Sequence, residues 1–281
     1  MVPDIVIHAV AAALYAGLAL HFWHTRWRAP RALAGLRAWE RAAILVALAL
    51  HGWCLVAPPI EAAVPRIGFA FALSSMVWLA VFFYWAGSFF MDLDALQPIV
   101  LGLGAVVSPL TAAFPGRVPL STSSEFWLHL ALVVLTSGVL TVAMLHAVLT
   151  AVVERLLHRA HGDVRAAPGG VLPGPLAKLP PLLTMERLLF MLIGLGFALL
   201  TLTLISGMTL SESIFGHALR FTHETLFALV AWAVFGVLLA GRLLYGWRGR
   251  VAVRWVLAGF VLVMLAGVGS RFVLEVLLGR T

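Results

Sequence analysis

The stretch Leu188-Leu189-Phe190-Met191-Leu192-Ile193-Gly194-Leu195-Gly196-Phe197-Ala198-Leu199-Leu200-Thr201-Leu202-Thr203-Leu204-Ile205-Ser206 carries no charge and is apolar on every face. About 20 such residues are needed for a helix to cross roughly 30 Å of hydrocarbon, so this segment reads as a membrane span. Seven runs of the same kind surround it: Asp4–Trp23, Arg41–Ala57, Ile67–Gly87, Ala95–Phe114, Phe126–Val153, Thr222–Leu244 and Ala252–Leu274. Each is far longer than the ~10 alternating residues of a barrel strand. The predicted fold class is therefore all-α, a polytopic membrane bundle of eight transmembrane helices.

Composition agrees with this reading. Of 281 residues, 62% are hydrophobic and only 11% charged, with mean hydropathy +1.03. A soluble globular protein is about 25% charged, so too few charged side chains remain to cover a water-soluble surface. No stretch is left over for a soluble domain, and residues 1–281 read as one integral membrane domain. Cys54 is the single cysteine, which excludes a disulfide framework, a CxxC pair and the CxxCH haem-attachment motif.

The cations orient the bundle. The first, fifth and seventh connections hold fourteen of the nineteen lysines and arginines, whereas the opposite side has only Arg66, Arg117, Arg220, Arg271 and Arg280. The positive-inside rule then puts the odd connections in the cytoplasm and both termini outside. Topology thus accounts for a pI near 10.9, and no nucleic-acid partner is implied. The N-terminus lacks a basic n-region and carries Asp4, so it reads as a first span and not a cleaved leader. Residues 154–187 form the one long connection, expected to be a flexible cytoplasmic loop because of its run Pro168-Gly169-Gly170-Val171-Leu172-Pro173-Gly174-Pro175. Pro98 and Pro109 predict a kinked or short fourth helix.

Several function classes drop out. No carboxylate is expected near the middle of a span, which counts against proton pumps and ion-coupled carriers. There is no P-loop, GxSxG or HExxH, so nothing indicates a hydrolase, and the chain is not expected to be an enzyme.

Ten histidines are many for so apolar a chain. Neutral imidazole is a strong metal ligand and a common axial ligand of haem iron. At 1.5 Å per residue, His51 falls roughly 15 Å into an outward-running helix. A polar group at that depth faces the bundle interior, either as a functional group or as a hydrogen-bonding partner of a neighbouring helix. His129 and His223 lie near the outer entrance of inward-running helices, as metal ligands or as ordinary boundary residues. His21 and His24, beside Trp23 and Trp27, read as interfacial anchors, and His146 as a helix-to-helix hydrogen bond. Arg220 and Arg271, on the outer side, suit carboxylates such as haem propionates. Arg271 has an alternative, an i, i+4 pair with Glu275. Of ten tryptophans, Trp23, Trp27, Trp39, Trp85, Trp127, Trp247 and Trp255 sit close to span ends, as membrane anchors do.

Three stretches carry a resemblance to a known family. They are Trp127-Leu128-His129-Leu130 with the long helix after it; Leu179-Pro180-Pro181-Leu182-Leu183-Thr184-Met185-Glu186-Arg187-Leu188, continuing to Ser206-Gly207; and Thr222-His223-Glu224-Thr225-Leu226-Phe227-Ala228-Leu229-Val230-Ala231-Trp232, continuing to Tyr245-Gly246-Trp247-Arg248-Gly249-Arg250. The chain resembles the haem-handling membrane proteins of cytochrome c assembly, of the CcsA and CcmC type, and their HemX-like branch in particular. The resemblance implies non-covalent, b-type haem bound near the outer face, with His129 matching the family's external ligand histidine. Other cytochrome c assembly or membrane proteins are the implied partners, besides haem and the lipid bilayer.

Two departures matter. The family's synthases carry a tryptophan-rich motif in the external loop that corresponds to Met208–Phe221, where this chain has no tryptophan. A second external histidine beyond the last helix is also missing. The expectation is therefore a haem-binding accessory without complete synthase machinery, with His223 standing in as the second iron ligand and His51, Arg220 and Arg271 as further site residues. The competing reading is a cofactor-free accessory or regulatory subunit of another membrane complex.

Overall fold

Backbone polar groups in hydrocarbon find no water, so a spanning segment has to satisfy them internally, and a helix does so. In the computed structural model the apolar runs are accordingly helical. Residues 2–28, 35–56, 66–90, 96–119, 121, 123–162, 181–215 and 222–278 are described. The helices are α1 (Val2–Phe22, ending in a π-helical turn at Trp23–Trp27), α2 (Ala38–Val56), α3 (Phe69–Gly87), α4 (Gln97–Val107), α5 (Leu110–Ala113), α6 (Ser124–Gly162), α7 (Leu182–Phe215), α8 (His223–Tyr245) and α9 (Arg250–Met264). Beyond α9 the helix continues through a π turn at Leu265–Gly269, an α turn at Ser270–Phe272 and a second π turn at Val273–Leu277.

The chain is an all-helical, multi-pass membrane protein. Among the described residues seven helices are long and apolar enough to cross a membrane, and an eighth apolar segment, Gln97–Ala113, is shorter. The fourth of the eight expected segments is thus short and broken, as Pro98 and Pro109 predict, beside seven of full length among the described residues. Pro98 occupies the first turn of α4, where its missing N–H leaves no hydrogen bond unmade. Pro109, with no N–H to continue the ladder, stands where α4 gives way to α5.

The connection expected to be flexible over 154–187 is helical at both ends, since α6 runs to Gly162 and α7 starts at Leu182. Tertiary contacts hold these extensions. Glu154 approaches Arg250 at 3.8 Å, and Glu186 accepts a hydrogen bond from the Gly249 N–H at 2.9 Å. The proline- and glycine-rich middle, 163–180, lies outside the described residues.

The bundle packs as two halves. Tyr15, Phe22, Ile44, Val81 and Leu101 centre the first, built from α1–α4 and joined by Leu149 and Val153 of α6 and Met185 of α7. Leu140, Ile193, Phe235 and Val256 centre the second, built from α6–α9. Lipid tails are as apolar as leucine, so helices here gain from close van der Waals contact more than from the hydrophobic effect, and small residues permit it. Gly138 of α6 supplies one such contact between the halves: a Cβ there would fall 2.6 Å from Leu79 of α3.

One polar cluster locks α1 to α2. Glu40 is wholly buried, and its carboxylate accepts from Arg26 at 2.9 Å, from His21 Nε2 at 2.9 Å and from the Arg37 N–H at 2.7 Å. Arg26, 1% exposed, also donates to Gly35 O at 2.7 Å. His21 is therefore a member of a buried network and not only an interfacial anchor.

Candidate functional site

The two ends of the bundle differ in charge. Arg26, Arg41, Arg155, Arg187, Arg242 and Arg250 lie at the end where α1 and α6 finish and α2, α7 and α9 start. At the other, cation-poor end, α3, α6 and α8 begin, and the helices part around a cavity of about 830 Å³. That volume suits a cofactor-sized ligand. The walls are mainly apolar, with Phe71 and Met76 of α3, Val133 of α6, Leu204 of α7, Leu229 of α8 and Val263 of α9 among them. Polar side chains interrupt them, among them His129, Thr136, Thr203, Arg117, Glu224, Arg271 and Glu275.

His129 sits in the second turn of α6, half-buried on the cavity wall. Room for its ring comes from Gly207 of α7, where a Cβ would lie 3.1 Å from His129 Cε1. Its Nδ1 is 2.9 Å from Ser206 Oγ. Ser206 spends its own proton on Thr203 O, at 3.0 Å, so toward His129 it accepts. The imidazole proton then resides on Nδ1, and Nε2 keeps its lone pair. This is the tautomer a metal ligand needs, fixed by a hydrogen bond behind the ring as metal-ligating histidines usually are. Thr203 in turn donates to Leu199 O and accepts from Thr136 at 2.8 Å, which ties α6 to α7 beside the same wall.

Arg271 reaches the cavity from the irregular end of α9. Two π turns flank it, and Ala266, Gly267 and Val268 of the first also line the cavity. The carbonyl of Leu265, in that turn, accepts from both the N–H and the Oγ of Ser270. The sequence alternative for Arg271 was pairing with Glu275. Instead, Glu275 Oε2 accepts from the Phe69 N–H at 3.2 Å, capping the start of α3. Among the described residues Arg271 forms no ion pair.

The other predicted site residues lie as follows. His223, the first residue of α8, is exposed; its neighbours Thr222 and Glu224 line the cavity and it does not. His51 is in the other half of the bundle, fully buried, with Nε2 2.8 Å from Ser74 Oγ and Nδ1 3.4 Å from the Tyr15 hydroxyl. Arg220 lies outside the described residues. His146 donates from Nε2 to Met185 O at 2.8 Å, joining α6 to α7. No tryptophan is among the described residues that line the cavity.

The family description "cytochrome C assembly protein" matches residues 36–278, most of the chain. The chain belongs to that family. An uncharacterised 28.8 kDa protein of Azospirillum brasilense is 34% identical over 187 residues, covering 66% of this chain and 65% of that protein. The inner membrane protein YpjD of Escherichia coli K12 is 38% identical over 100 residues, 36% of this chain and 37% of YpjD. The cytochrome c biogenesis protein CcsA of Gloeobacter violaceus is 31% identical over 92 residues, 33% of this chain and 27% of CcsA. Each match spans less than two thirds of the relative's own length. No solved structure matches the chain.

Against the predicted set, the cavity unites His129 and Arg271 and adds Arg117, Glu224, Glu275 and the Thr136–Thr203 pair, with Ser206 holding the His129 ring from outside the lining. Nothing local in the sequence marks these additions. Ser206 stands out in the sequence only as the end of an apolar run, and Arg117 only as one of the few cations of the outer side.

Proposed function

We propose that this member of the cytochrome c assembly family binds haem non-covalently in the cavity, where His129 Nε2 would hold its iron and Arg271 a propionate. It would serve as an accessory of haem handling in a bacterial inner membrane, not as a complete synthase. The observation that carries this reading is the hydrogen bond from His129 Nδ1 to Ser206, which leaves Nε2 uncommitted on a residue that lines an apolar cavity of cofactor size.

The donor set fits the group. Among the described residues no three His, Cys, Asp or Glu side chains gather around a common point, so a bare metal ion would lack ligands. Haem brings four nitrogens of its own and asks the protein for one or two more, together with cations for two propionates. When bound, it would supply an iron that takes an imidazole nitrogen. His129 supplies that nitrogen, Ser206 holds the ring, and the walls exclude water. His223, one residue from two lining residues, is the candidate second ligand. His51 has both nitrogens engaged and is left out of the site.

The same reading fixes orientation. With the cation-rich end in the cytoplasm, the cavity opens to the outer side and both termini lie outside. The short α4–α5 segment is then the fourth of eight crossings.

An absorption spectrum of the detergent-purified chain with added haem tests the reading. A Soret band that shifts or disappears in His129→Ala is expected. Absence of any His129-dependent band, oxidised or reduced, would overturn it and favour a cofactor-free accessory subunit.

A further inference from the structure

Two guanidinium groups line the cavity, Arg271 after α9 and Arg117 on the segment between α5 and α6. Neither has an ion-pair partner among the described residues. Single unpaired arginines at a protein surface are common. These two are distinguished by a shared support.

Arg117 is fixed through its backbone. Ile67 N–H donates to Arg117 O at 2.7 Å and Arg117 N–H donates to Ile67 O at 3.1 Å, an isolated antiparallel bridge. Gly116 makes the approach possible. Its φ of +69° lies in the left-handed region, and a Cβ there would meet Gly68 N and Ile67 C at 2.7 Å. Two residues along, the Phe69 N–H is held by Glu275, which sits one helical turn beyond Arg271. Residues 67–69 thus tie the strand-like segment bearing Arg117 to the helix bearing Arg271. Because Glu275 is committed to this junction, it leaves the Arg271 charge available. The other lining carboxylate, Glu224, opens α8, where the helix dipole favours it.

We infer that Arg117 and Arg271 form a two-point clamp for a ligand with an apolar body and two carboxylates, and that Gly116 and Glu275 are its positioning residues. Arginine suits this task because its planar fork meets a carboxylate through two N–H donors. The inference rests on the haem reading and deepens it: the two propionates would be held by two different segments, joined at one junction, and the site would select diacid porphyrins.

The test is a Soret titration of the purified full chain with iron protoporphyrin IX and with its dimethyl ester, which lacks both negative charges. Wild type is expected to favour the diacid by about tenfold or more, as hydrogen bonds to charged groups allow. Arg117→Gln should weaken diacid binding about tenfold and leave ester binding where it was, with the bound Soret maximum unmoved. Arg117→Lys should recover part of the loss, and the Arg117→Gln, Arg271→Gln pair should bind the two porphyrins alike. Gly116→Ala should lower the diacid-to-ester ratio toward that of Arg117→Gln, again without moving the Soret maximum, which a merely structural lesion would not do. If haem binds through His129 but Arg117→Gln changes neither the diacid affinity nor the ratio, the clamp is wrong and the haem reading stands. If neither porphyrin binds, both fall together.

Discussion

His51 and His129 are imidazoles set in apolar helices, one in each half of the bundle, and their surroundings are opposite. His51 is closed in by α1, α2 and α3. Ser74 and Tyr15 occupy its two nitrogens, the Tyr15 ring packs edge-on against it with centroids 5.6 Å apart, and no water reaches it. His129 has one nitrogen engaged and stands on an 830 Å³ cavity. Depth in the membrane therefore says little about use. What separates a structural histidine from a candidate ligand is how many of its nitrogens the fold has already spent.

The largest effect expected from breaking this contrast lies in the closed half. Glu40→Gln would leave Arg26 buried without its carboxylate, and breaking a buried pair from one side costs about 3–5 kcal/mol. The unfolding midpoint of the purified protein should drop sharply, with any haem spectrum of the surviving folded fraction unaltered. Next comes the pair His51→Ala and His129→Ala, the same truncation at the two sites. At 51 it strands Ser74 and Tyr15 in a dry core, about 1–3 kcal/mol, while the Soret band should stay in place. At 129 it gives up one interhelical hydrogen bond, about 0.6 kcal/mol on average in a membrane, and removes the band. A spectral change from the His51 variant with an intact one from the His129 variant would reverse the assignment. The smallest effect belongs to Ser206→Ala. Losing that one bond should weaken haem binding about threefold, the equivalent of a 0.6 kcal/mol contact, and release the tautomer of His129. Unchanged affinity and band width would show that the ring needs no such support.

The sequence made the helices and the ends of the bundle legible for a local reason: uninterrupted apolar length and the placement of arginines are properties of short windows. Pro98 and Pro109 likewise announce the short fourth segment, because a missing N–H acts on its own turn. The depth of His51 could be counted from its position, but its two partners come from α1 and α3 and carry no sequence mark. Glu40 is the clearest failure. A carboxylate near a helix start looks like a solvated boundary residue, and only the return of Arg26 and His21 from α1 makes it a buried hub. The candidate site divides the same way. His129 and Arg271 were legible by residue type and side, whereas the bond that sets the His129 tautomer and the bridge that places Arg117 join residues 77 and 50 positions apart. The relation of His223 to the site is not written in spacing at all, since both its neighbours line the cavity and it does not.

The π turns around Arg271 carry a consequence for chain length. Each takes up one residue more than an α turn without moving the helix on either side. Within Arg250–Met264, deleting one residue would swing everything downstream by about 100°, carrying Arg271 and Glu275 off the cavity together. Within Leu265–Gly269 the same deletion is absorbed as the turn tightens to regular spacing, and both residues keep their face. The last helix thus holds slack directly ahead of Arg271, and length there can vary by one residue while the arginine stays in place.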